Sequence, residues 1–162
     1  MDSGFLAEPV IGPRDFVRVR WLGPGMTIEM RSSMIDHISI AVRDLKAGEA
    51  FYAALLAPLG MTKLREWPDA AIGFGKKYPE FWINRRDAMH RVAEDSGVHI
   101  CLRAPDAAAV DAFHAAALQG GGTSDGAPGL REKYHGNYYA AFIRDPDGNR
   151  IEAVMFLPDA SA

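Results

Sequence analysis

Two histidines and one glutamate are the residues of this 162-residue chain best suited to do chemistry together. His37 and His99 each open a stretch of alternating residues, HISIAV and HICLRA, and Glu152 sits inside a third, NRIEAVM. Successive side chains of a strand point to opposite faces. Ile38, Ile40 and Val42 therefore lie opposite His37, Ile100 and Leu102 opposite His99, and Ile151, Ala153 and Met155 opposite Glu152. A carboxylate at a strand centre is costly unless it is paired, solvated or bound to a metal. Two imidazoles and a carboxylate suit a divalent first-row metal with positions left open for water or substrate. Taken singly, each histidine also reads as a hydrogen-bonded core residue, and Glu152 as a solvated edge position.

What joins the three is an internal repeat, the feature to seek early in any chain. From Asp36 the sequence runs DHISIAVRDLKAGEAFYAALLAPLG, and from Val98 it runs VHICLRAPDAAAVDAFHAAALQGGG. In register, His37 falls on His99, Ile38 on Ile100, Asp44 on Asp106, Phe51 on Phe113 and Gly60 on Gly122, at a constant offset (99 − 37 = 62) without a gap. Each copy reads as a strand and then a helix. Asp44 and Asp106 stand where N-caps belong, and Gly60 and Gly120–Gly122 where helices stop. Leu45, Tyr52, Leu55, Leu56 and Leu59 form one helical apolar stripe; Val110, Phe113, Ala117 and Leu118 form the other.

Extended runs follow each helix: Thr62–Glu66, Ala70–Gly75 and Phe81–Asn84 in the first half, then a weak Thr123–Ser124, Tyr138–Arg144 and Arg150–Met155 in the second. Asp145-Pro146-Asp147-Gly148 supplies the turn between the last two, with proline at i+1 and a glycine tolerant of positive φ. The pattern is βαβββ twice. It predicts an α+β fold in which two modules form a curved, cup-like mixed sheet with helices on the outer face. The inner face then collects His37, Ser39, Glu80, Trp82, Asn84, His99, Cys101 and Glu152.

DHISIAVRDL, GVHI and DPDGNRIEAV resemble the vicinal oxygen chelate superfamily of lactoylglutathione lyases, extradiol dioxygenases, fosfomycin-resistance thiol transferases and bleomycin-binding proteins. The resemblance spans about Met34–Leu157. It implies modules over 34–86 and 97–157, and His37, His99 and Glu152 as ligands of one divalent ion (Fe, Mn, Zn, Ni or Co). It implies lyase, isomerase or dioxygenase chemistry on a small molecule that chelates the ion through two oxygens, and a homodimer, which would also cover exposed sheet edges. The lyase pattern carries a fourth, carboxylate ligand on the last strand of the first half. Trp82 is the nearest counterpart here, with Glu80, on the same strand face, as a substitute at the strand's start. The alternative is a bleomycin-resistance type of protein that binds or sequesters a small molecule without catalysis; that class generally lacks the ligands.

Tyr134-His135-Gly136-Asn137-Tyr138-Tyr139 precedes the last hairpin. His135 or Tyr138 is placed there to act as acid, base or donor over the metal; the other reading is a surface loop whose tyrosines pack at a strand start. Trp82, Tyr134 and Cys101 are candidates to line the substrate pocket. Trp82 and Trp67 serve equally well as core, and Cys101 as a small filler, since no base is evident beside it. His90 and His114 read as solvated. A net charge of −3 gives no reason to expect nucleic acid or an anionic membrane as partner. One cysteine excludes an intrachain disulfide and fits a reducing cytoplasm. Residues 1–33 lack the pattern of a signal peptide and read as a peripheral extension, with a strand suggested at Phe16–Leu22, or as a leader ahead of a start at Met34; 158–162 read as a tail.

Overall fold

The computed structural model describes residues 35–134 and 136–158. The extension over 1–33 with its suggested strand, His135 and residues 159–162 of the tail lie outside the described residues. The elements are β1 (Ile38–Val42), α1 (Leu45–Leu56) with a 3-10 turn (Ala57–Leu59), β2 (Thr62–Trp67), β3 (Ala71–Gly75), β4 (Phe81–Arg85), β5 (Ile100–Arg103), α2 (Ala107–Gln119), β6 (Thr123–Leu130), β7 (Tyr138–Arg144) and β8 (Arg150–Phe156). Both helices begin on the aspartates that the repeat aligns. Asp44 accepts the Ala47 amide at 3.0 Å and Asp106 the Ala109 amide at 2.8 Å. Gly60 closes the first helix at φ 78°, a left-handed conformation that glycine adopts at no steric cost.

The strands form two four-stranded sheets, ordered β1-β4-β3-β2 and β5-β8-β7-β6. In each sheet the first and last strands of a module pair in parallel and the others antiparallel. This is βαβββ twice in α+β form. The sheets are open and separate rather than one continuous curved sheet, and β1 and β5 are both edge strands. Strand β6 is longer than its sequence suggests. TSDGAPGL has no apolar alternation, and two register shifts interrupt its pairing with β7, which supplies the extended geometry from outside.

A single apolar cluster joins the halves: Phe51, Tyr52 and Leu55 of α1, Phe113 and Ala117 of α2, and Phe74, Ile83, Ile143 and Ile151 of the sheets. Gly120, after α2, lets the helices close up, because a Cβ there would lie 2.8 Å from the Phe51 ring. The β7–β8 turn fastens the second module to the first. Tyr52 donates its hydroxyl to Asp145 at 2.7 Å, the Arg43 amide and guanidinium bind Asp147, and Asn149 donates to the Ala41 carbonyl at 2.9 Å. Asp145 is 1% exposed, and burial pushes its carboxyl up against the opposing effect of its donors Asn149 and Tyr52. Among the described residues no helix is long and apolar enough to cross a membrane.

Candidate metal centre

Strands β5 and β8 run parallel with Cys101 beside Glu152. That register brings the imidazole at the mouth of β5 onto the carboxylate: His99 Nε2 lies 3.1 Å from Glu152 Oε2. Glu152 is 2% exposed. Its other oxygen, Oε1, accepts the Tyr138 hydroxyl at 2.6 Å. Tyr138 stands opposite Phe156 and Glu152 opposite Phe142, so the two share a face of the hairpin but lie at different levels. The small pair between them, Ala140 and Val154, lets the phenol lie along the sheet and span the gap. Desolvation, followed by the bond to Glu152, raises the Tyr138 pKa far above the ordinary tyrosine value, so the hydroxyl keeps its proton and donates.

Around this pair the His99 ring meets Phe142 edge-on at 6.2 Å, and Tyr138 packs edge-on against Tyr134 and Phe156. Cys101 Sγ sits 3.7 Å from the Tyr138 oxygen. Desolvation and the neighbouring Glu152 push its thiol up to about 12, so it stays protonated and is a poor nucleophile. Neither Phe142 nor Arg131, whose guanidinium lies 5.4 Å over the Phe142 ring, stood out in the sequence. Strand parity carried back from Glu152 across the turn would have found Phe142; nothing in the sequence marks Arg131.

His37 is elsewhere. It precedes β1 in the other sheet, its Nδ1 lies 2.8 Å from Asp36 Oδ1, and its side chain is 45% exposed. Glu80 stands beside it: the Glu80 carbonyl accepts the Ile38 amide, and its carboxylate accepts the Lys76 amide at 3.1 Å. Among the described residues no three His, Cys, Asp or Glu side chains gather to hold a metal ion. Within one chain the second module thus carries His99, Glu152, Tyr138, Tyr134 and Cys101, and the first carries His37, Glu80 and Trp82.

The registers make the repeat exact where sequence alignment stops. Ser39 pairs with Trp82 in the first module, and its repeat equivalent Cys101 pairs with Glu152 in the second. Trp82 therefore occupies the position of Glu152. Its indole is 5% exposed and stacks on Trp67, with centroids 4.8 Å apart and planes 13° apart. An indole N–H only donates and cannot ligate a cation.

The donor chemistry of His99 and Glu152 fits a divalent ion. At 3.1 Å the His99 imidazole and the Glu152 carboxylate are within hydrogen-bonding distance, and Tyr138 holds the other carboxylate oxygen.

Residues 34–153 match the model of the glyoxalase/bleomycin resistance protein/dioxygenase superfamily. The chain is similar to a glyoxalase/bleomycin resistance protein from Albidiferax ferrireducens, with 32% identity and a TM-score of 0.64 over 75% of this chain and 98% of the other. The fold is also shared with a lactoylglutathione lyase from Agrobacterium tumefaciens (22% identity, TM-score 0.53, 76% and 94% covered). A fosfomycin resistance protein from Mesorhizobium loti shares it too (17%, 0.54, 84% and 95%). No protein with a curated function matches the chain in sequence.

Proposed function

The chain belongs to the glyoxalase/bleomycin resistance protein/dioxygenase superfamily, and from that premise we propose that it is a metal-dependent enzyme whose site is shared by two copies. The observation that carries this reading is the split of the ligand set. His99 and Glu152 lie 3.1 Å apart, while the equivalent His37 stands exposed on the other module. Strands β1 and β5 are both sheet edges, and Ile38, Ile40, Ile100 and Leu102 on them are only partly buried. Edges of this kind are normally paired or covered. A two-fold pairing that sets β1 of one copy beside β5 of the other brings His37 to His99 and Glu152 twice, closing two cups.

Lewis acidity toward two oxygens of a small substrate is the chemistry a divalent ion supplies there when bound. The chain's own residues hold and orient. His37, His99 and Glu152 are the ligands, and Tyr138 fixes Glu152 by donating to Oε1. His135 is proposed as the acid or base that moves the substrate proton, and Tyr134 and Cys101 as lining of the pocket. With three ligands the site is of the two-histidine, one-carboxylate kind, which suits lyase, isomerase or dioxygenase chemistry. A second reading, a protein that binds a small molecule without catalysis, is favoured by the fact that among the described residues no three His, Cys, Asp or Glu side chains gather in one place.

Mixing variants tests the shared site. His37→Ala and His99→Ala proteins each lack a ligand in both cups and should hold no metal. In a mixed dimer one cup regains all three ligands and the other loses two histidines. Random pairing makes half the dimers mixed, so about a quarter of wild-type metal should return. A site within one chain would regain nothing on mixing. Wild-type protein that takes up no divalent ion would favour the binding protein instead.

A further inference from the structure

We infer that the substrate carries an aromatic or similarly planar ring, which stacks on the Trp67–Trp82 pair while its two oxygens face His99 and Glu152. The inference rests on the shared site proposed above and names the class of molecule that site accepts.

The repeat sets the geometry. His37 is equivalent to His99, and Trp82 is equivalent to Glu152 by strand register. In a cup built from the first module of one copy and the second of the other, the indole therefore faces the carboxylate across the two histidines. One side of the cup offers ligands, and the other offers a flat apolar wall that cannot ligate. Trp82 lies on the strand face opposite Phe81 and Ile83; it is buried, yet neither it nor Trp67 belongs to the apolar cluster that joins the helices to the sheets. That cluster thus does not account for the two stacked indoles.

The backbone is also arranged to receive them. Gly73 pairs with Trp82 on the adjacent strand, and a Cβ there would lie 3.0 Å from two atoms of the indole and 2.8 Å from Pro79. Glycine at this one position lets the ring lie flat on β3, with Trp67 stacked upon it. Trp82 is almost fully covered, while Trp67 is only partly buried and remains the open member of the pair. Across the cup the position equivalent to Gly73 is Phe142, whose ring meets His99. A ring held between these walls meets aromatic surface on both sides, where offset or edge-on pairs are favourable at centroid separations of about 4.5–7 Å.

Two bidentate oxygen chelators that differ only in a ring provide the test: benzohydroxamate and acetohydroxamate, titrated calorimetrically into metal-loaded full-length protein. The phenyl compound should bind about tenfold or more tightly than the methyl compound. Trp67→Leu, which keeps apolar bulk but no ring, should cut that preference to about twofold or less, and Trp67→Phe should keep most of it; acetohydroxamate affinity should be unchanged in both. An equal phenyl preference in wild type and Trp67→Leu would overturn the inference, as would no preference in wild type. If the protein holds no metal, the shared-site reading fails by itself. The ring is then judged on metal-free protein with benzoate against acetate, where loss of a benzoate preference in Trp67→Leu supports the stacking wall and its persistence refutes it.

Discussion

Replacing Tyr138 with phenylalanine removes one oxygen and leaves every ring contact in place, so it isolates the bond to Glu152. The carboxylate is 2% exposed and has Tyr138 on Oε1 at 2.6 Å and His99 on Oε2 at 3.1 Å. Without the phenol, Oε1 is a buried acceptor with no donor from that hydroxyl. Leaving such a group unsatisfied costs about 1–3 kcal/mol. At roughly 2–4 °C per kcal/mol for a chain of this size, the melting temperature should fall by about 2–12 °C. A group that orients a ligand from behind is usually worth about 10–100-fold in metal affinity, so the metal dissociation constant should rise by that factor. Tyr139→Phe is the matched control. It removes the neighbouring hydroxyl, which binds Asp111 at an exposed position on the opposite strand face, and should change stability by less than about 0.5 kcal/mol with no effect on metal. Thermal melts and competitive metal titrations of the two variants read the difference. If Tyr138→Phe behaves like Tyr139→Phe in both assays, Glu152 is not held by Tyr138.

Tyr52→Phe should lower stability by about 1–2 kcal/mol in urea unfolding, because buried Asp145 loses the hydroxyl that ties its turn to α1; no change in midpoint would mean that the turn docks through Arg43 and Asn149 alone. Desolvation holds the His114 imidazole below its ordinary 6.5, opposed by Asp111. A lowered folded pKa means that the unfolded chain binds the proton more readily, so this contribution to stability is complete above about pH 6.5 and is lost as the pH falls. His114→Gln should therefore lose less melting temperature than wild type between about pH 7.5 and 5.5, and an equal loss would remove His114 from the acid response. Glu152→Ala should abolish metal binding while leaving the dimer intact by light scattering, whereas retained metal would exclude Glu152 from the ligand set.

The elements were legible because local rules govern them. Period-2 alternation, an aspartate cap and a glycine stop each appear twice at one spacing, and each is enforced within a few residues of itself. Strand β6 was not, because its glycines and proline carry no alternation and its extended form comes from pairing with β7. The site was legible as a set of residues and a set of faces, but not as a place. Parity puts His37, His99 and Glu152 on the non-helix faces, yet the same parity holds whether two modules meet sheet edge to sheet edge or through their helices. That choice belongs to contacts far apart in sequence, such as Tyr52 with Asp145 and Arg43 with Asp147, and single-residue patterns do not record them.

Register then resolves what the repeat left open. The weakest point of the sequence comparison was the last strand of the first module, where a tryptophan stands in place of an acidic ligand. Strand pairing shows that Trp82 and Glu152 are the same position in two copies of one unit, and the surroundings of the two differ accordingly. Beside Trp82 the next strand offers Gly73, and a second indole stacks above. Beside Glu152 the next strand offers Phe142, and the Tyr138 phenol comes from further along to satisfy the carboxylate. A phenylalanine in place of Gly73 would collide with the indole, since even a Cβ there would approach it to 3.0 Å. At this position one module thus presents a hydrogen-bonded carboxylate and the other a pair of stacked indoles over a glycine.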